Sequence, residues 1–431
     1  MIYMRFIDVF AGCGGLSLGL LKAGHQGVFA VERNATAFET LRHNLIDGER
    51  FKFDWPCWLP KKAMSCEDFL SEYGHEALSL NGSIDIMVGG PPCQGFSLAG
   101  KRDPNDPRNK MADHYLELVK KIKPKYIVIE NVSGFNSKFN FECATQQNTK
   151  SATSYAEFIC DQLTLLGYKV SRGKVNCAKF GVPQNRHRYL IIGCLRTQDN
   201  SIFELLSSEA SSFMHSKGLN SQRATTVHEA IADLEIRDKR LVKNNDSSLG
   251  SFLEAVYDAP EISSPYLSLI RDGFLGAPNS RRLPNHKPDT VVQFKKIQMA
   301  STPGRSLSKA ATESLGLKKH SITVLTKNLP APTITTLPDD VIHYSELRIL
   351  TARETARLQS FPDWFEFTGK YTTGGKLRKF ECPRYTQIGN AVPPLLAEAI
   401  GLVISKVDAA LQCCFENIKD ESQYANAEFQ G

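Results

Sequence analysis

The sequence predicts an α/β protein in which a doubly wound, mostly parallel sheet carries a smaller, inserted and less regular domain. Short β-branched runs alternate with helix-patterned segments over the first 135 residues. From about 200 to 335 the chain becomes rich in Ser, Asn, Pro, Gly and Lys, and helical patterning returns after residue 351. Apolar strands that alternate with amphipathic helices are typical of parallel βαβ units, so the α/β domain is expected to resume after the insertion.

Five apolar runs predict strands that are buried on both faces. They are Arg5 to Phe10, Val28 to Val31, Ile84 to Val88, Tyr126 to Ile129 and Leu190 to Cys194. Apolar residues at helical spacing predict helices over Leu16 to Ala23, Ala35 to Asn44, Asp113 to Lys121 and Leu395 to Val407. One more helix is expected after Thr351, because Glu354 three residues later completes a capping box.

Composition is that of a folded, soluble protein. The chain has 431 residues, 42% hydrophobic and 23% charged, which excludes collagen-like and wholly disordered classes. No uncharged apolar run reaches the roughly 18 residues that span a bilayer, and Arg5 and Asp8 interrupt the first apolar run before a signal sequence could form. Eleven scattered cysteines without a Cys-x-x-Cys pair argue against a disulfide framework and a zinc site. We expect a cytoplasmic protein with no membrane partner and no metal.

Positive charge is concentrated in one part of the insertion. The net charge of the whole chain is +6, but residues 271 to 327 alone hold eleven Lys or Arg against three acids. Such a field favours a polyphosphate partner through charge neutralisation and counterion release. A solvated surface with uneven charge would have the same composition, so both interpretations stay open.

A glycine-rich turn follows the first strand. Ala11-Gly12-Cys13-Gly14-Gly15 leads into a helix, and glycines let a backbone turn sharply and approach a ligand at the helix N-terminus. Glu32 ends the next strand 20 residues after Gly12, where a carboxylate can accept both ribose hydroxyls. Ser17 stands where a dinucleotide fingerprint has its third glycine, which disfavours a nicotinamide dehydrogenase. The pattern predicts an adenosine-type ligand.

A single thiol lies at the predicted carboxyl end of the strand Ile84 to Val88. The segment Gly89-Gly90-Pro91-Pro92-Cys93-Gln94-Gly95-Phe96-Ser97 holds Cys93 between rigid prolines and flexible glycines. Structural cysteines are seldom placed in this way, and a thiolate is the strongest side-chain nucleophile near neutral pH. Cys93 is therefore predicted to be a nucleophile.

This segment resembles the Pro-Cys loop of the DNA (cytosine-5)-methyltransferases, and four more matches follow in chain order. They are Glu130-Asn131-Val132, Gln184-Asn185-Arg186-His187-Arg188, Arg353 to Asp363, and Gln387 to Pro394. The resemblance implies a Rossmann-like class I methyltransferase domain at 1–199 and 336–415. It also implies a target-recognition domain at 200–335, and 416–431 is expected to be a frayed tail.

The resemblance assigns catalytic roles to four residues. Cys93 would attack carbon 6 of cytosine, so that carbon 5 becomes nucleophilic enough to accept a methyl group. Glu130 would hold the ring and protonate it at N3. Arg188 would bind the base carbonyl O2 and orient Glu130, whereas Arg186 would contact phosphate or support the loop.

S-adenosyl-L-methionine is the methyl donor that the resemblance implies, with S-adenosyl-L-homocysteine as product. Phe10 would stack near the adenine, Glu32 would hold the ribose, and Asp68 with Phe69 is the best match for the acid that contacts the adenine amino group. Arg33 could cover the adenine only through its aliphatic stem. The full set of expected donor contacts is Phe10, Ala11, Gly12, Gly14, Gly15, Leu16, Glu32, Arg33, Asp68, Phe69, Pro92, Asn390 and Ala391.

Double-stranded DNA is the expected substrate. A duplex hides carbons 5 and 6 of cytosine, so the target base must be extruded into the pocket. Sequence choice is expected to lie in 200–335, which the segment Pro332 to Thr336 closes. The expected DNA contacts are Gln94, Ser97, Lys101, Arg102, Arg108 and Thr335.

Two alternatives stay open. The enzyme could protect DNA beside a separate cognate restriction endonuclease, or act as an orphan regulator, in either case in the cytoplasm and at the nucleoid. An RNA (tRNA) cytosine-5 methyltransferase on the same fold is the second enzyme hypothesis. A protein that only binds is disfavoured, because all the expected catalytic residues are present.

Overall fold

The computed structural model describes residues 3–91, 110–136, 138–140, 152–195, 197, 201–246, 252–258, 264–317, 321–373, 377 and 380–428. Its strands in chain order are β1 (Arg5–Val9), β2 (Gln26–Val31), β3 (Ile86–Gly89), β4 (Tyr126–Val132), β5 (Lys138–Asn140), β6 (Ala152–Ser154), β7 (Lys169–Asn176), β8 (Gln184–Asn185), β9 (His187–Cys194), β10 (Leu241–Lys243), β11 (Leu253–Ala255), β12 (Thr323–Val324), β13 (Ala331–Pro332) and β14 (Val341–Ile342).

Fourteen helices occur in the described part of the chain. They are α1 (Gly15–Lys22), α2 (Ala35–Leu41), α3 (Cys66–Ser79), α4 (Lys110–Ile122), α5 (Tyr155–Leu165), α6 (Ile202–Ser208), α7 (Ala210–Ser216), α8 (Val227–Ile231), α9 (Pro265–Arg271), α10 (Pro288–Ala300), α11 (Lys309–Ser314), α12 (Ala352–Leu358), α13 (Arg384–Asn390) and α14 (Pro394–Glu428). The capping box expected at Thr351 and Glu354 is confirmed at the start of α12.

Six strands form the central sheet in the order β2-β1-β3-β4-β9-β7. The neighbours β2, β1, β3 and β4 are parallel, and β9 runs antiparallel to both β4 and β7. The predicted mostly parallel sheet is confirmed, and the predicted strand Leu190 to Cys194 supplies its reversed member. The carboxyl ends of β1, β2, β3 and β4 share one edge, where ligands of open α/β sheets bind.

Helices cover both faces of the sheet. Alternate residues of β1 enter different apolar clusters: Phe6 packs in the cluster that contains α1 and α14, and Ile7 packs in the cluster that contains α3, α4 and α5. Successive side chains of a strand point to opposite faces, so strands buried on both sides must be apolar throughout. This is why the sequence predicted these strands correctly.

The sheet also contains an edge strand that the sequence analysis missed. In β7 only Ser171 and Val175 are buried, and the strand carries Lys169, Arg172 and Lys174. It pairs along its whole length with β9. An edge strand with one solvated face lacks the apolar run by which the inner strands were predicted.

The inserted region is divided between two environments. The helices α6 and α7 pack against the catalytic sheet domain, where Ile202, Leu206 and Phe213 join the cluster of α14. A separate small apolar core joins α10, β12 and β14, and its buried members are Phe294, Ile297, Leu307, Ile322, Val324, Ile342 and Ile349. Residues on both sides of 335 thus share this small core, and residues just after 200 share the core of the sheet.

The longest helix, α14, begins in the core and extends beyond it. The stretch Arg384–Cys413 is long and apolar enough to cross a membrane, but 83% of its most apolar window is buried inside the protein. The helical backbone continues through Glu428, although a frayed tail was expected from residue 416. No Pro or Gly interrupts residues 409 to 428, so the chain contains no residue type that would end the helix earlier.

Candidate active site

The glycine-rich turn after β1 is hydrogen-bonded to the end of β2. The backbone N–H groups of Phe10 and Ala11 both donate to the carbonyl oxygen of Val31, at 2.8 and 3.1 Å. The turn requires left-handed backbone at Phe10 (φ 65°) and again at Gly14 (φ 91°), which caps α1. Residues other than glycine rarely adopt left-handed backbone angles, and residues strained in this way cluster at ligand sites.

Two further glycines of the turn have different surroundings. A β-carbon added at Gly15 would lie 2.4 Å from the carbonyl oxygen of Val392, so the absence of a side chain lets the loop after α13 pack directly on the turn. A β-carbon added at Gly12 would meet no atom within 4 Å. Gly12 therefore borders open space, whereas Leu16 is buried beneath it in the core.

Glu32 links the turn to the end of β2. Its carboxylate accepts hydrogen bonds from the backbone N–H of Gly12 at 2.9 Å and of Asn34 at 2.7 Å. Burial raises the pKa of Glu32 above its ordinary value, although these hydrogen bonds oppose the shift. The expected ribose-binding carboxylate thus lies directly beside the open space at Gly12.

Sequence reasoning missed a second acid beneath the turn. Asp8 is 1% exposed, and the hydroxyl of Ser17 donates to its Oδ2 at 2.5 Å. Its Oδ1 has no hydrogen-bond partner among the described residues. Burial raises the pKa of Asp8 to about 7. The signal available in the sequence was a carboxylate inside an otherwise apolar strand, and Ser17 holds it where a dinucleotide-binding turn has glycine.

Arg186 fixes the loop that carries Asn390 and Ala391. Its guanidinium is 1% exposed and donates to the carbonyl oxygens of Ile334 at 3.0 Å, Gly389 at 2.8 Å and Ala391 at 3.1 Å. Burial lowers the pKa of Arg186 to about 9. The predicted catalytic assignment of Arg186 is corrected by this geometry, because its donors serve three backbone carbonyls. Of the two roles expected for it, loop support is the one the contacts favour.

Two buried amide side chains reinforce that loop. Gln184 donates to the side-chain oxygen of Gln359 at 2.9 Å and accepts from the backbone N–H of Ile334 at 2.8 Å. Gln359 in turn donates to the carbonyl oxygen of Ile388 at 2.7 Å. Three sequence motifs that are far apart in the chain therefore meet in one hydrogen-bonded group.

Thr335 lies at the end of the inserted region, next to Ile334, which is hydrogen-bonded to Gln184. A β-carbon at Gly389 would lie 2.4 Å from the carbonyl oxygen of Thr335, so the two backbones touch. The Thr335 hydroxyl donates to Asp340 at 2.7 Å, and the residue is exposed. Asn390, the next residue after Gly389, is exposed as well.

Glu130, near the end of β4, and Arg188, near the start of β9, form an ion pair. Arg188 Nε lies 2.5 Å from Glu130 Oε1, and both side chains are about nine-tenths buried. Their strands pair so that Val132 lies opposite Arg188, which brings Glu130, two residues earlier, onto the same face of the sheet. The strand pairing therefore places one carboxylate and one guanidinium in contact on the same face of the sheet.

The start of the Pro-Cys loop lies against this ion pair. A β-carbon at Gly90 would lie 3.4 Å from Glu130 Oε2, and the side-chain amide of Asn131 donates to the carbonyl oxygen of Pro91 at 2.8 Å. The seven expected site residues that follow lie outside the described residues. They are Pro92, Cys93, Gln94, Ser97, Lys101, Arg102 and Arg108.

Two expected adenine contacts have other roles. Asp68 accepts from the backbone N–H and the hydroxyl of Ser65 at 3.3 and 2.7 Å, which closes the capping box of α3. Phe69 is fully buried and stacks on Phe29 in the core. Burial removes Phe69 from contact with a ligand, so its assignment is corrected, whereas Asp68 is exposed and its Oδ2 serves the capping box. Arg33 is exposed beside Glu32.

The basic segment splits into buried and exposed cations. Arg271 pairs with Asp363, and Arg281 pairs with Glu254, so these charges serve the fold. Six others are exposed, namely Lys287, Lys295, Lys296, Arg305, Lys309 and Lys327. Among the described residues of 271–327, six exposed cations therefore remain after these internal pairs are set aside.

Comparisons with known proteins show the family to which the chain belongs. The sequence profile of the family described as C-5 cytosine-specific DNA methylase matches residues 4–406. The Type II methyltransferase M.DdeI of Desulfomicrobium norvegicum is 32% identical over 415 residues, which cover 93% of this chain and 88% of that protein. The Type II methyltransferase M1.HphI of Haemophilus parahaemolyticus is 30% identical over 411 residues, covering 94% and 87%.

A solved structure supports the fold independently. The crystal structure described as a DNA modification methyltransferase encoded within an E. coli prophage superposes with a TM-score of 0.59 at 23% identity, and the match covers 94% of this chain and 99% of that one. The glycine turn with Glu32, the Glu130–Arg188 pair and a family match over nearly the whole chain point the same way. The chain belongs to the family of C-5 cytosine-specific DNA methylases and is a DNA cytosine-5 methyltransferase.

Proposed function

We propose that this methyltransferase transfers a methyl group from S-adenosyl-L-methionine to carbon 5 of a cytosine that is extruded from duplex DNA. The observation that carries the proposal is that Glu130 and Arg188 lie beside Gly90, where the Pro-Cys loop begins. Gly12 and Glu32 lie on the same sheet edge. A base held at the ion pair and a donor held at the turn would meet there.

The residues at the turn fit the donor. Open space at Gly12 and the carboxylate of Glu32 suit an adenosine whose ribose hydroxyls donate to Glu32. Asn390 is exposed on the loop that packs on Gly15, and Phe10 lies at the rim of the turn. When bound, S-adenosyl-L-methionine supplies an electrophilic methyl group.

The chemistry on the base belongs to three side chains. Cys93 would form a bond from its sulfur to carbon 6, while Glu130 delivers a proton to N3, so that electron density moves to carbon 5. Arg188 would donate to the base carbonyl O2 and, through its contact with Glu130, hold the carboxyl group against the ring. After methylation, a base would take the proton from carbon 5, the sulfur of Cys93 would leave carbon 6 as thiolate, and the N3 proton would return to Glu130, which restores the aromatic ring.

Duplex DNA and a modification role are favoured over RNA. The relatives named above are Type II methyltransferases, and the exposed cations of the recognition region provide charge for a phosphate backbone. We infer a cytoplasmic enzyme at the nucleoid that modifies DNA beside a separately acting restriction endonuclease.

The test is transfer of labelled methyl from S-adenosyl-L-methionine to duplex DNA and to tRNA in parallel, followed by bisulfite sequencing. Label at cytosines of one short recurring DNA sequence is the expected result. Label in tRNA alone would overturn the substrate, but it would leave the chemistry of Cys93 and Glu130 in place.

Two cysteine variants isolate the nucleophile. Cys93→Ser is expected to abolish methyl transfer and to leave binding of S-adenosyl-L-homocysteine measurable, because the donor residues are untouched. Cys413→Ser, at an exposed cysteine of α14, is the matched control and should keep wild-type activity. Full activity of Cys93→Ser would remove Cys93 from the mechanism.

A further inference from the structure

Residues 366–369, in the segment between α12 and α13, pack against α2. The backbone N–H of Thr368 donates to the hydroxyl of Thr40 at 3.0 Å. A β-carbon at Gly369 would lie 2.4 Å from a methyl carbon of Thr36, so the segment packs closely on the first turn of the helix. Because α2 begins just after Glu32, the segment extends toward the ligand edge of the sheet.

The far end of the segment reaches the donor site. The side-chain amide of Asn34 donates to the carbonyl oxygen of Phe380 at 3.3 Å, and the backbone N–H of Asn34 donates to Glu32 at 2.7 Å. Two residues later, burial and the nearby carboxylate of Glu32 raise the pKa of Cys382 to about 12. Gln387 holds the carbonyl oxygen of Cys382 at 3.0 Å. The backbone around Phe380 is thus fixed beside the expected ribose carboxylate.

The polar groups around Phe380 are already paired. Glu381 accepts from Lys370 at 2.8 Å and from the hydroxyl of Thr373 at 2.6 Å, and the backbone N–H of Phe380 donates to Leu377 at 2.9 Å. The side chain of Phe380 is nevertheless 77% exposed. A single exposed apolar residue is ordinary, but here an aromatic ring is presented by an anchored backbone next to a ligand site.

An adenine ring has two flat faces, and the sequence provides one clear aromatic partner, Phe10. Beside Glu32 stands Arg33, whose charged head favours water and which is exposed. Purines stack favourably on aromatic rings, so a second ring near Glu32 would remove the other face from water.

We propose that Phe380 is a donor-binding residue that covers the purine of the methyl donor beside Glu32, where the next residue along the chain is the exposed Arg33 and the aromatic residue of β2, Phe29, is buried in the core. This inference rests on the proposed function, since the donor must bind at Glu32 for Phe380 to meet its base. The segment that carries Phe380 lies outside the motifs by which the family was recognised.

The first experiment measures S-adenosyl-L-homocysteine binding by titration calorimetry. Phe380→Ala is expected to weaken binding about tenfold, and Phe380→Tyr to stay near wild type, because the stacking face is kept. Leu275→Ala is the matched control, since Leu275 is 86% exposed and lies in the recognition region. Thermal melting of each variant checks that the fold is intact, as expected for exposed positions.

The second experiment gives a direct signal. In Phe380→Trp, a stacked purine should quench the new indole fluorescence when S-adenosyl-L-homocysteine or adenosine is added, and L-homocysteine should not. Leu275→Trp should show no such quenching above the background of the three native tryptophans.

The outcomes separate the two proposals. If wild type binds S-adenosyl-L-homocysteine and Phe380→Ala binds it equally well, the role of Phe380 is overturned and the proposed function stands. If wild type does not bind it at all, the proposed function fails and this inference fails with it. Weaker binding confined to the alanine variant, with quenching in the tryptophan variant, supports the inference.

Discussion

The central sheet and the inserted recognition region are stabilised by different forces. Each face of the sheet has a large apolar cluster, and β1, β3 and β4 are buried almost completely. The inserted region shares a small apolar core with Ile342 and Ile349, and the buried ion pairs Arg357–Asp233 and Arg271–Asp363 join it to the rest of the chain. Apolar burial follows local sequence periodicity, whereas Arg357 and Asp233 are 124 positions apart and Arg271 and Asp363 are 92 positions apart.

Arg357 is the centre of one such group. Its guanidinium donates to Asp363 at 2.8 Å and to Asp233 at 3.0 Å, and its Nη1 reaches the carbonyl oxygen of Ala230 at 3.1 Å. Burial alone would raise the pKa of Asp363, but the charge and hydrogen bonds of Arg357 hold that pKa below its ordinary value. One cation of α12 therefore holds the region around α8 against the catalytic domain.

The largest expected effect comes from Arg357→Met. This variant leaves Asp233 and Asp363 as buried carboxylates without their shared cation, and breaking a buried pair costs about 3 to 5 kcal/mol. Urea unfolding monitored by circular dichroism measures the loss. Lys309→Met is the control, because Lys309 and Glu313 form an exposed pair at 3.9 Å that should contribute nothing measurable. Equal stability of the two variants would contradict the role given to the buried ion pair.

Asp8 is a buried carboxyl group in the apolar sheet, and its ionisation is expected to destabilise the fold. Its pKa is about 7 in the folded chain against an ordinary 3.8, so the neutral acid stabilises the fold. That contribution is fully present below about pH 4 and is lost as the pH rises through 7. Between pH 5 and pH 8 wild type should lose about 2 to 3 kcal/mol of unfolding free energy from this group, and Asp8→Asn should not.

The measurement is urea unfolding at both pH values. Glu39→Gln, at an exposed carboxylate of α2, is the matched control and should keep the wild-type pH dependence. A wild-type slope in Asp8→Asn would show that Asp8 ionises in the fold as it does in the unfolded chain.

The smallest expected effect comes from one conservative substitution in each of two apolar cores, that of the sheet and the small core around α10. Ile7 in β1 and Ile297 in α10 are both almost fully buried, and Ile→Val at either site is expected to cost about 1 kcal/mol. Ile7→Val should lower the main unfolding transition, while Ile297→Val should increase local opening of the recognition region, detected by amide hydrogen exchange. Equal effects of both variants on the main transition would show that the small core unfolds only together with the sheet.

The candidate site was predictable in part. Glu32, Glu130 and Arg188 follow from strand ends and motifs, and the structure brings each to the ligand edge of the sheet. Asp68 was the best match to the acid that contacts adenine in the family, and in the structure its carboxylate completes the capping box that Ser65 begins at α3. The resemblance implied that Arg186 contacts phosphate or supports the loop, and its contacts with Ile334 and Ala391, which no local spacing reveals, favour loop support.

The sequence by itself determined the fold class, the order of the motifs along the chain and the family, because periodicity, glycine turns and the Pro-Cys loop are local features. Only the tertiary structure decided which charges serve the fold and which residues share a site. Arg357 with Asp233, Gln184 with Gln359, and Phe380 beside Asn34 are pairs of this kind. The physical reason is that hydrogen bonds and ion pairs act over a few ångströms of space, and the chain must fold before residues far apart in sequence come within that distance.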